Sequence, residues 1–264
     1  MIDSHCHLDF NDFNVDRVCV LERCQRLGVT HIVMPGVSMA QWHTLTTLVN
    51  QHAQLRFSVG IHPWFLDDQS LVLSDLLICK EQLLAAMVPF LHHQQCCALG
   101  ECGLDKVKAR NQAEWLQQQV VFEAHCLIAK ELDLPLIIHS VKSHDMVLTY
   151  LKKYDLRRGV IHAFHGSTEQ ALAFYKQGFL LGAGGGITYD RAKKTRAAFA
   201  ALPLEAIVLE TDAPSMPVSG QQGERNSPES TPVIAKHLAD IKGDDLKYVI
   251  QQTRHNTLLL FGID

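Results

Sequence analysis

The chain has 264 residues and a mildly acidic balance of 24 Lys and Arg against 28 Asp and Glu, for a formal net charge of −4. This balance excludes a general basic coat for nucleic acid, which needs an excess of Lys and Arg, although it leaves a local site open. Apolar residues make up 47% and charged residues 20%, which excludes global disorder and provides for a large core. Fifteen histidines are many for this length, and their positions decide the functional interpretation.

The chain shows no signal for export or for a membrane. Residues 1–5 lack a basic region followed by an apolar region, and no run of about 18 apolar residues occurs. The eight cysteines form no Cys-x-x-Cys pair and are scattered through apolar segments or lie side by side. This usage predicts reduced thiols that pack as small core residues. We therefore expect a cytoplasmic protein.

Eight short apolar segments alternate with longer, helix-like segments along the chain. Their first residues are about 29 residues apart, the length of one βα unit in an α/β barrel of about 250 residues. Because these segments are apolar almost throughout, they suit a parallel sheet that helices cover. The sequence predicts strands at Ile2–Cys6, His31–Met34, Arg56–Val59, Cys96–Leu99, Pro135–Ile138, Gly159–Ile161, Phe179–Leu181 and Ala206–Leu209, with a helix at Glu114–Ala129.

One segment breaks the alternation, because Thr211–Pro232 holds four of the nine prolines and two glycines. So many helix breakers predict a long ordered loop without a helix after the last strand. Long loops in compact domains are usually functional. Only about 30 residues follow this loop, too few for another domain. We therefore interpret residues 1–264 as a single (β/α)8 TIM barrel domain.

Side chains that bind metals stand at the C-terminal ends of five predicted strands. In parallel barrels this end carries the catalytic groups. The first strand ends in His5-Cys6-His7, and the alternation of side chains places His5 and His7 on one face. A lone histidine at such a place is commonly a satisfied polar residue, but six equivalent positions are hard to explain by packing alone. The predicted two-metal site consists of His5, His7, Glu101, His139, His162 and Asp212.

Seven motifs follow one another along the chain. They are Ile2-Asp3-Ser4-His5-Cys6-His7-Leu8, Gly60-Ile61-His62-Pro63, Gly100-Glu101-Cys102-Gly103-Leu104-Asp105, Leu134-Pro135-Leu136-Ile137-Ile138-His139-Ser140, His162-Ala163-Phe164-His165-Gly166-Ser167, Glu210-Thr211-Asp212-Ala213-Pro214 and Arg225-Asn226-Ser227-Pro228. In this order they resemble the signatures of the TatD family of metal-dependent deoxyribonucleases, most closely its bacterial YjjV branch. The resemblance covers residues 2 to about 230 and implies an amidohydrolase-like barrel of the metallo-dependent hydrolase type.

The resemblance also implies how two divalent cations, Zn²⁺, Mn²⁺ or Mg²⁺, would be held. Glu101 would bridge the two ions. The other ligands would divide into His5, His7 and Asp212 for one ion, and His139 and His162 for the other.

The chain departs from the family pattern at positions expected to contact substrate. The family usually has an arginine shortly after the histidine of the fifth strand, where this chain has Ser140, Val141 and Lys142. It usually has a serine where this chain has His165. All six ligand positions are intact, so the departures concern the identity of the substrate rather than the capacity for hydrolysis.

Three residues receive functional interpretations beyond metal binding. Asp212 is the best candidate to orient or deprotonate the attacking water, because a carboxylate at the last strand end can reach both metal and solvent. His62 is assigned a substrate contact or a leaving-group role, with a loop brace fixed by Pro63 as the alternative. Trp64 either stacks on a base or fills a hydrophobic gap.

Three functions follow from this site. The favoured one is a metal-dependent phosphodiesterase or deoxyribonuclease acting on a DNA end or a small phosphate ester, because a metal pair supplies local positive charge and activates water. The second is an amidohydrolase acting on a cyclic amide, ester or lactone, although many such barrels bridge their metals with a carboxylated lysine rather than a residue such as Glu101. The third is a non-enzymatic metal-dependent binding protein, although purely structural zinc sites are normally saturated by four protein ligands. We expect no membrane association and no obligate protein partner.

Overall fold

The computed structural model describes residues 1–68 and 70–263. In these residues eight strands form one sheet in the order β1 to β8, and each strand pairs in parallel with the next. The strands are β1 Ile2–Asp3, β2 His31–Met34, β3 Leu55–Val59, β4 Cys96–Asp105, β5 Leu136–Val141, β6 Gly159–Ile161, β7 Phe179–Ala183 and β8 Ile207–Leu209.

Helices follow the strands and cover the outside of the sheet. They are α1 Arg17–Arg26, α2 Trp42–Gln51, α3 Leu76–Leu91, α4 Gln112–Leu132, α5 His144–Lys153, α6 Thr168–Lys176, α7 Lys193–Ala201, α8 Thr231–Lys242 and α9 Leu246–Phe261. Short 3-10 helices lie at Asn11–Phe13, Leu66–Asp68, Gly185–Thr188, Leu204–Ala206 and Pro228–Ser230. The predicted helix Glu114–Ala129 lies within α4.

Hydrogen bonds between the segments that follow β1 and β8 bring the two ends of the sheet together. The Ser4 amide donates to the carbonyl of Leu209 at 2.9 Å, and the Asp212 amide donates to the carbonyl of His5 at 2.9 Å. The sheet is therefore a nearly closed barrel, and the predicted TIM barrel is confirmed.

The barrel interior is packed by alternate strand residues. Val33, Ile137, Val160 and Val208 form one buried cluster, while their sequence neighbours pack outward against the helices. The end of α9 joins this inner cluster through Phe261. Because side chains alternate along a strand, positions two residues after the inner ones again face inward. This register directs His139, His162 and Glu210 into the barrel above an apolar floor.

The structure corrects several predicted boundaries; β5, for example, continues to Val141 instead of ending at Ile138. β4 continues to Asp105 instead of ending at Leu99, because Gly100 and Gly103 adopt positive φ angles that let the strand bend and go on. β1 ends at Asp3 rather than Cys6, since the next residues bond to neighbouring loops instead of extending the ladder. The prediction of a loop without a helix at Thr211–Pro232 is wrong at its end, because Pro228–Ser230 form a 3-10 helix and Thr231 and Pro232 lie in the first turn of α8. A proline is tolerated there since its missing N–H has no partner in a helix.

All eight cysteines are free thiols, as their spacing predicts. Six of them are buried, whereas Cys96 is partly buried and Cys19 is exposed, so the prediction that each cysteine packs in the core is wrong for Cys19. Among the described residues, no helix has both the length and the apolar character that crossing a bilayer requires.

Candidate metal centre

The six predicted ligands meet at the C-terminal mouth of the barrel. His5 and His7 follow β1, and Glu101 and His139 lie within β4 and β5. The other two follow strands directly, with His162 after β6 and Asp212 after β8. All except Asp212 are buried, and its side chain retains 15% exposure.

Glu101 lies between two groups of imidazoles and directs one carboxylate oxygen at each. On one side, Oε2 lies 3.2 Å from Nε2 of His5 and 3.6 Å from Nε2 of His7. Asp212 joins this group, because its Oδ1 lies 3.6 Å from both of these nitrogens. This arrangement matches the first set of ligands that the resemblance implies.

The other oxygen of Glu101, Oε1, faces a second group. It lies 2.8 Å from Nε2 of His162, 3.2 Å from Nδ1 of His139 and 3.3 Å from Nε2 of His62. His62 is thus part of the cluster in space, although the sequence assigned it no metal. Glu101 therefore contacts both groups, one with each oxygen.

The residues present fit divalent cations. Both ring nitrogens of His5, Nδ1 of His7 and Nδ1 of His162 are buried without a hydrogen-bond partner, which is rare for polar atoms. Ligand atoms around a tetrahedral ion at typical Zn–N distances lie about 3.4 Å apart, close to the separations around Glu101. Three sets of potential ligand atoms lie within 4.8 Å of one another: His5, His7 and Glu101; His62, Glu101 and His139; and His5, His162 and Glu210.

Charges within the cluster favour an ionised carboxylate. Burial alone would raise the pKa of Glu101, but the imidazoles of His162, His62 and His5 outweigh it and hold this pKa well below its usual range. Burial likewise opposes protonation of His162, yet the neighbouring Glu101 carboxylate raises its pKa to about 10. Without a metal, the proton on His162 therefore supplies the positive charge that Glu101 needs.

His139 is held from behind by Asp105, a residue that the sequence did not single out. Nε2 of His139 lies 3.3 Å from Oδ2 of Asp105, while Nδ1 faces Glu101. An ionised carboxylate only accepts, so Asp105 would keep a ring proton on Nε2 when a metal takes the lone pair of Nδ1. Trp64 donates its indole N–H to the same Asp105 oxygen at 2.8 Å. Asp105 is part of the Gly100–Asp105 motif, but its partner His139 lies 34 residues further along the chain, so the motif alone does not predict the contact.

Backbone contacts fix the tautomer of His62. The amide of Trp64 donates to Nδ1 of His62 at 3.1 Å, so the ring proton resides on Nε2, which faces Glu101. Burial also lowers the pKa of His62, which keeps the ring neutral. In this form His62 is a hydrogen-bond donor at Nε2 rather than a metal ligand.

Glu210 lies below His162 and was also left without a role by the sequence. Its Oε1 accepts the amide of Ala163 and lies 3.8 Å from Nδ1 of His162. Gly182 of β7 makes room for this carboxylate, because a Cβ there would lie 2.1 Å from Glu210 Oε2. Burial raises the pKa of Glu210 to about 8.

Asp212 differs from Glu101 in its environment. Burial raises the pKa of Asp212 to about 6, although the nearby His162 opposes the shift. Its backbone adopts a φ of 55°, a left-handed conformation that Asp tolerates better than most residues. This conformation places the side chain at the edge of the cluster, where it also lines the cavity above it.

A cavity of about 490 Å³ opens above the cluster. His139, His162 and Asp212 form its floor, while Trp64 and Lys142 lie on its walls. Its remaining lining includes His165, so the two departures from the family pattern, Lys142 and His165, both face the space that a substrate would enter.

A buried cluster of histidines and carboxylates at the mouth of a TIM barrel defines a metal-dependent hydrolase. The sequence model of the family described as TatD related DNase matches residues 2–262, and the chain belongs to this family. It is 37% identical over 264 residues to the "Uncharacterized metal-dependent hydrolase YjjV" of Escherichia coli (strain K12), covering 99% of this chain and 98% of that one.

A solved structure and one further relative extend the comparison. The crystal structure of YjjV from Escherichia coli K12 superposes with a TM-score of 0.91 at 35% identity, covering 100% of this chain and 98% of that one. The "3'-5' ssDNA/RNA exonuclease TatD" of Erwinia amylovora is 28% identical over the full length of both chains. Membership in this family confirms the predicted resemblance.

Proposed function

We propose that this protein is a phosphodiesterase that hydrolyses nucleic acid strands or small phosphate esters with two divalent cations. The observation that carries the proposal is the two-sided contact of Glu101, whose Oε2 faces His5 and His7 while Oε1 faces His139 and His162. A carboxylate in this position suits a bridge between two ions. Residues 1–264 would form one catalytic domain around that bridge.

The ligands proposed for each ion follow from these contacts. One ion would be held by His5, His7 and Asp212, and the other by His139 and His162, with Glu101 shared. Divalent ions in these places would polarise the scissile bond and lower the pKa of water. Two carboxylates neutralise only part of the charge of two divalent ions, which favours an anionic substrate although the chain carries a net charge of −4.

The chain's own groups would handle the water and the phosphate. Asp212 keeps some solvent exposure at the edge of the cluster, so its carboxylate can orient the attacking water and accept its proton. Lys142 lines the cavity and supplies a positive charge to the phosphate oxygens.

His62 would act as a hydrogen-bond donor to the substrate rather than as an acid. To act as an acid, the ring would need a second proton, on Nδ1. Nδ1 already accepts the N–H of the Trp64 amide, so a proton there would face another donor. We therefore favour the substrate contact over protonation of the leaving group, whose oxygen takes its proton from solvent. Without substrate, Nε2 of His62 faces Oε1 of Glu101 at 3.3 Å.

The nature of the substrate rests on two supports. The Erwinia amylovora relative is named as an exonuclease of single-stranded DNA and RNA, which favours phosphodiesters over amides and lactones as the substrate class. The bridge at Glu101, in place of a carboxylated lysine, argues in the same direction. The two departures at Lys142 and His165 lie in the cavity, so this protein's preferred strand or ester can differ from that of its relatives.

The test is a substrate panel with metal-stripped protein reloaded with Mn²⁺ or Zn²⁺. We expect turnover of single-stranded DNA, RNA or bis-p-nitrophenyl phosphate, no turnover in EDTA, and weak or no turnover of cyclic amides and lactones. Asp212→Asn should keep the fold and lose about 100-fold or more in rate, whereas Asp240→Asn, an exposed position on α8, should not. Turnover of amides or lactones without phosphodiester cleavage would establish the amidohydrolase alternative instead.

A further inference from the structure

Trp64 is a large aromatic residue that the fold holds in place without burying it. Its indole N–H donates to Asp105 Oδ2 at 2.8 Å, and its amide donates to His62, so both ends of the residue are fixed. The residue nevertheless remains 54% exposed. A hydrophobic plug would be buried, so the structure argues against the gap-filling interpretation of Trp64.

The indole also lines two spaces at the barrel mouth. One is the 490 Å³ cavity over the metal centre, which His139 and Asp212 also line. The other is a cleft of about 420 Å³, lined by Pro63, Lys108 and Gln117 among others. Trp64 lines both spaces, so a strand that leaves the metal centre toward this side passes over its ring.

A cation stands on the far side of this ring. Nζ of Lys108 lies 5.2 Å from the centroid of the indole, and Lys108 lines the cleft but not the cavity over the metal centre. The loop that carries Lys108 is fixed by Asp105, whose Oδ1 accepts the amides of Val107 at 2.9 Å and Lys108 at 3.0 Å. Asp105 thus positions the aromatic ring and the charge together.

We propose that Trp64 and Lys108 form a nucleotide subsite next to the metal centre, which rests on the proposed function as a phosphodiesterase. A nucleobase adjoining the cleaved linkage stacks on the indole, and the next phosphate along the strand enters the cleft beside Lys108. Stacking on an aromatic ring and a nearby cation are the means by which proteins hold single strands without reading their sequence. The subsite selects an oligonucleotide over a small phosphate ester and tolerates any base.

The first test measures binding in metal-free protein, so it does not depend on catalysis. Titration with a thymidine tetranucleotide in EDTA should quench tryptophan emission, because the base covers Trp64. Trp64→Phe should lose the quench, whereas Trp115→Phe, which removes an indole from α4, should keep it. A quench of the same size in Trp64→Phe protein would overturn the subsite.

The second test separates stacking from an effect of Trp64 through Asp105. With Mn²⁺, Trp64→Ala should lower kcat/KM for the tetranucleotide about 10-fold or more, and Trp64→Phe should restore most of it because a ring is present. The deficit should disappear on a tetranucleotide in which the stacked base is replaced by an abasic residue, tried at each position in turn. An equal deficit on all the abasic substrates would mean that Trp64 acts only by orienting Asp105, which would overturn stacking.

The third test addresses the phosphate contact. Lys108→Ala should weaken tetranucleotide binding and reduce the slope of log affinity against log salt by about 0.7. Lys130→Ala, the same charge change at the far end of α4, should leave the slope unchanged. An unchanged slope in Lys108→Ala would exclude this contact. Failure of the unaltered protein with metal to hydrolyse any of single-stranded DNA, RNA and bis-p-nitrophenyl phosphate would instead contradict the proposed function, whatever the binding tests show.

Discussion

The carboxylate of Asp105 lies 3.3 Å from Nε2 of His139, on the side of the ring opposite the nitrogen that faces Glu101. This contact fixes the tautomer of a proposed metal ligand. Asp105→Asn would put an amide NH2 in place of one oxygen. At Oδ2, both the indole of Trp64 and His139 lose their acceptor, and at Oδ1 the backbone amides of Val107 and Lys108 lose theirs. We expect metal affinity to fall about 10- to 100-fold with the fold retained, as for other groups that orient ligating histidines.

The measurement for Asp105→Asn is a competition titration with a chelating indicator, paired with circular dichroism to follow the fold. Asp240→Asn, which changes an exposed carboxylate on α8, is the matched control and should bind metal as the unaltered protein does. Equal metal affinity in Asp105→Asn and Asp240→Asn would show that Asp105 does not support the metal ligands.

Metal binding should release a proton at pH 7.5. The Glu101 carboxylate, although opposed by burial, raises the pKa of His162 to about 10, so His162 carries a proton in the metal-free protein at this pH. A histidine must be neutral to ligate a metal, and the incoming cation therefore displaces that proton. Calorimetric titration with Mn²⁺ in buffers of different ionisation enthalpy should report release of about one proton. Binding with no proton exchange would contradict the role of His162 as a ligand.

Gly182→Ala should disturb the metal centre from below. A Cβ at Gly182 would lie 2.1 Å from Glu210 Oε2, and Glu210 supports the His162 segment through the amide of Ala163. We expect a loss of about 1–3 kcal/mol in the free energy of unfolding, typical of overpacking, together with weaker metal binding. Urea unfolding and metal titration measure the two effects.

The matched control for this position is Gly184→Ala. A Cβ at Gly184 would lie 3.5 Å from the same Glu210 side chain, an ordinary contact distance. Gly184→Ala should therefore change unfolding and metal affinity little. Equal behaviour of the two variants would mean that Glu210 moves freely and does not hold His162 in place.

His125 should make the protein less stable in weak acid, and this effect should be independent of the metal centre. Its Nε2 accepts the amide of Ile61 at 3.2 Å, its Nδ1 donates to the carbonyl of Val121 at 2.7 Å, and burial lowers its pKa to about 4. The unfolded chain binds a proton here below pH 6.5 while the folded protein does not, so stability falls as the pH drops from 6.5 toward 4. The full loss amounts to about 3 kcal/mol.

Urea unfolding in EDTA at pH 7.5 and pH 5 measures this effect. His125→Gln should be less stable than the unaltered protein at pH 7.5, because a flexible side-chain amide does not reproduce the ring that accepts from Ile61 and donates to Val121 at once. It should also lose less stability between the two pH values. A pH dependence identical to that of the unaltered protein would show that His125 does not contribute.

The sequence predicted the barrel and the convergence of its polar residues because both depend on local patterns. Apolar runs at a constant spacing define the strands, and parallel strands place their C-terminal ends together, so His139 and His162 had to lie at one mouth. The roles of Asp105 and Glu210 could not be predicted in the same way. Each depends on a partner from another strand, and nothing in the local sequence tells which carboxylate will lie behind which imidazole.

The length of β4 shows a second limit. The sequence predicted a strand that ends at Leu99, yet Gly100 and Gly103 allow it to bend and continue to Asp105. Glu101 consequently lies inside a strand, with its two oxygens facing different neighbours. The sequence could not predict the exposure of Trp64 either, because a tryptophan that fills a buried gap and a half-exposed one that stacks on a base are the same residue type.

The most direct test of the central claim is a titration of metal-free protein with Mn²⁺ while hydrolysis of bis-p-nitrophenyl phosphate is followed. A centre bridged by Glu101 predicts no hydrolysis without metal and a rate that rises to a plateau at two equivalents, with Glu101→Gln nearly inactive at the same loading. Hydrolysis that persists in EDTA, or a plateau at two equivalents that Glu101→Gln leaves unchanged, would contradict a bridged two-metal phosphodiesterase.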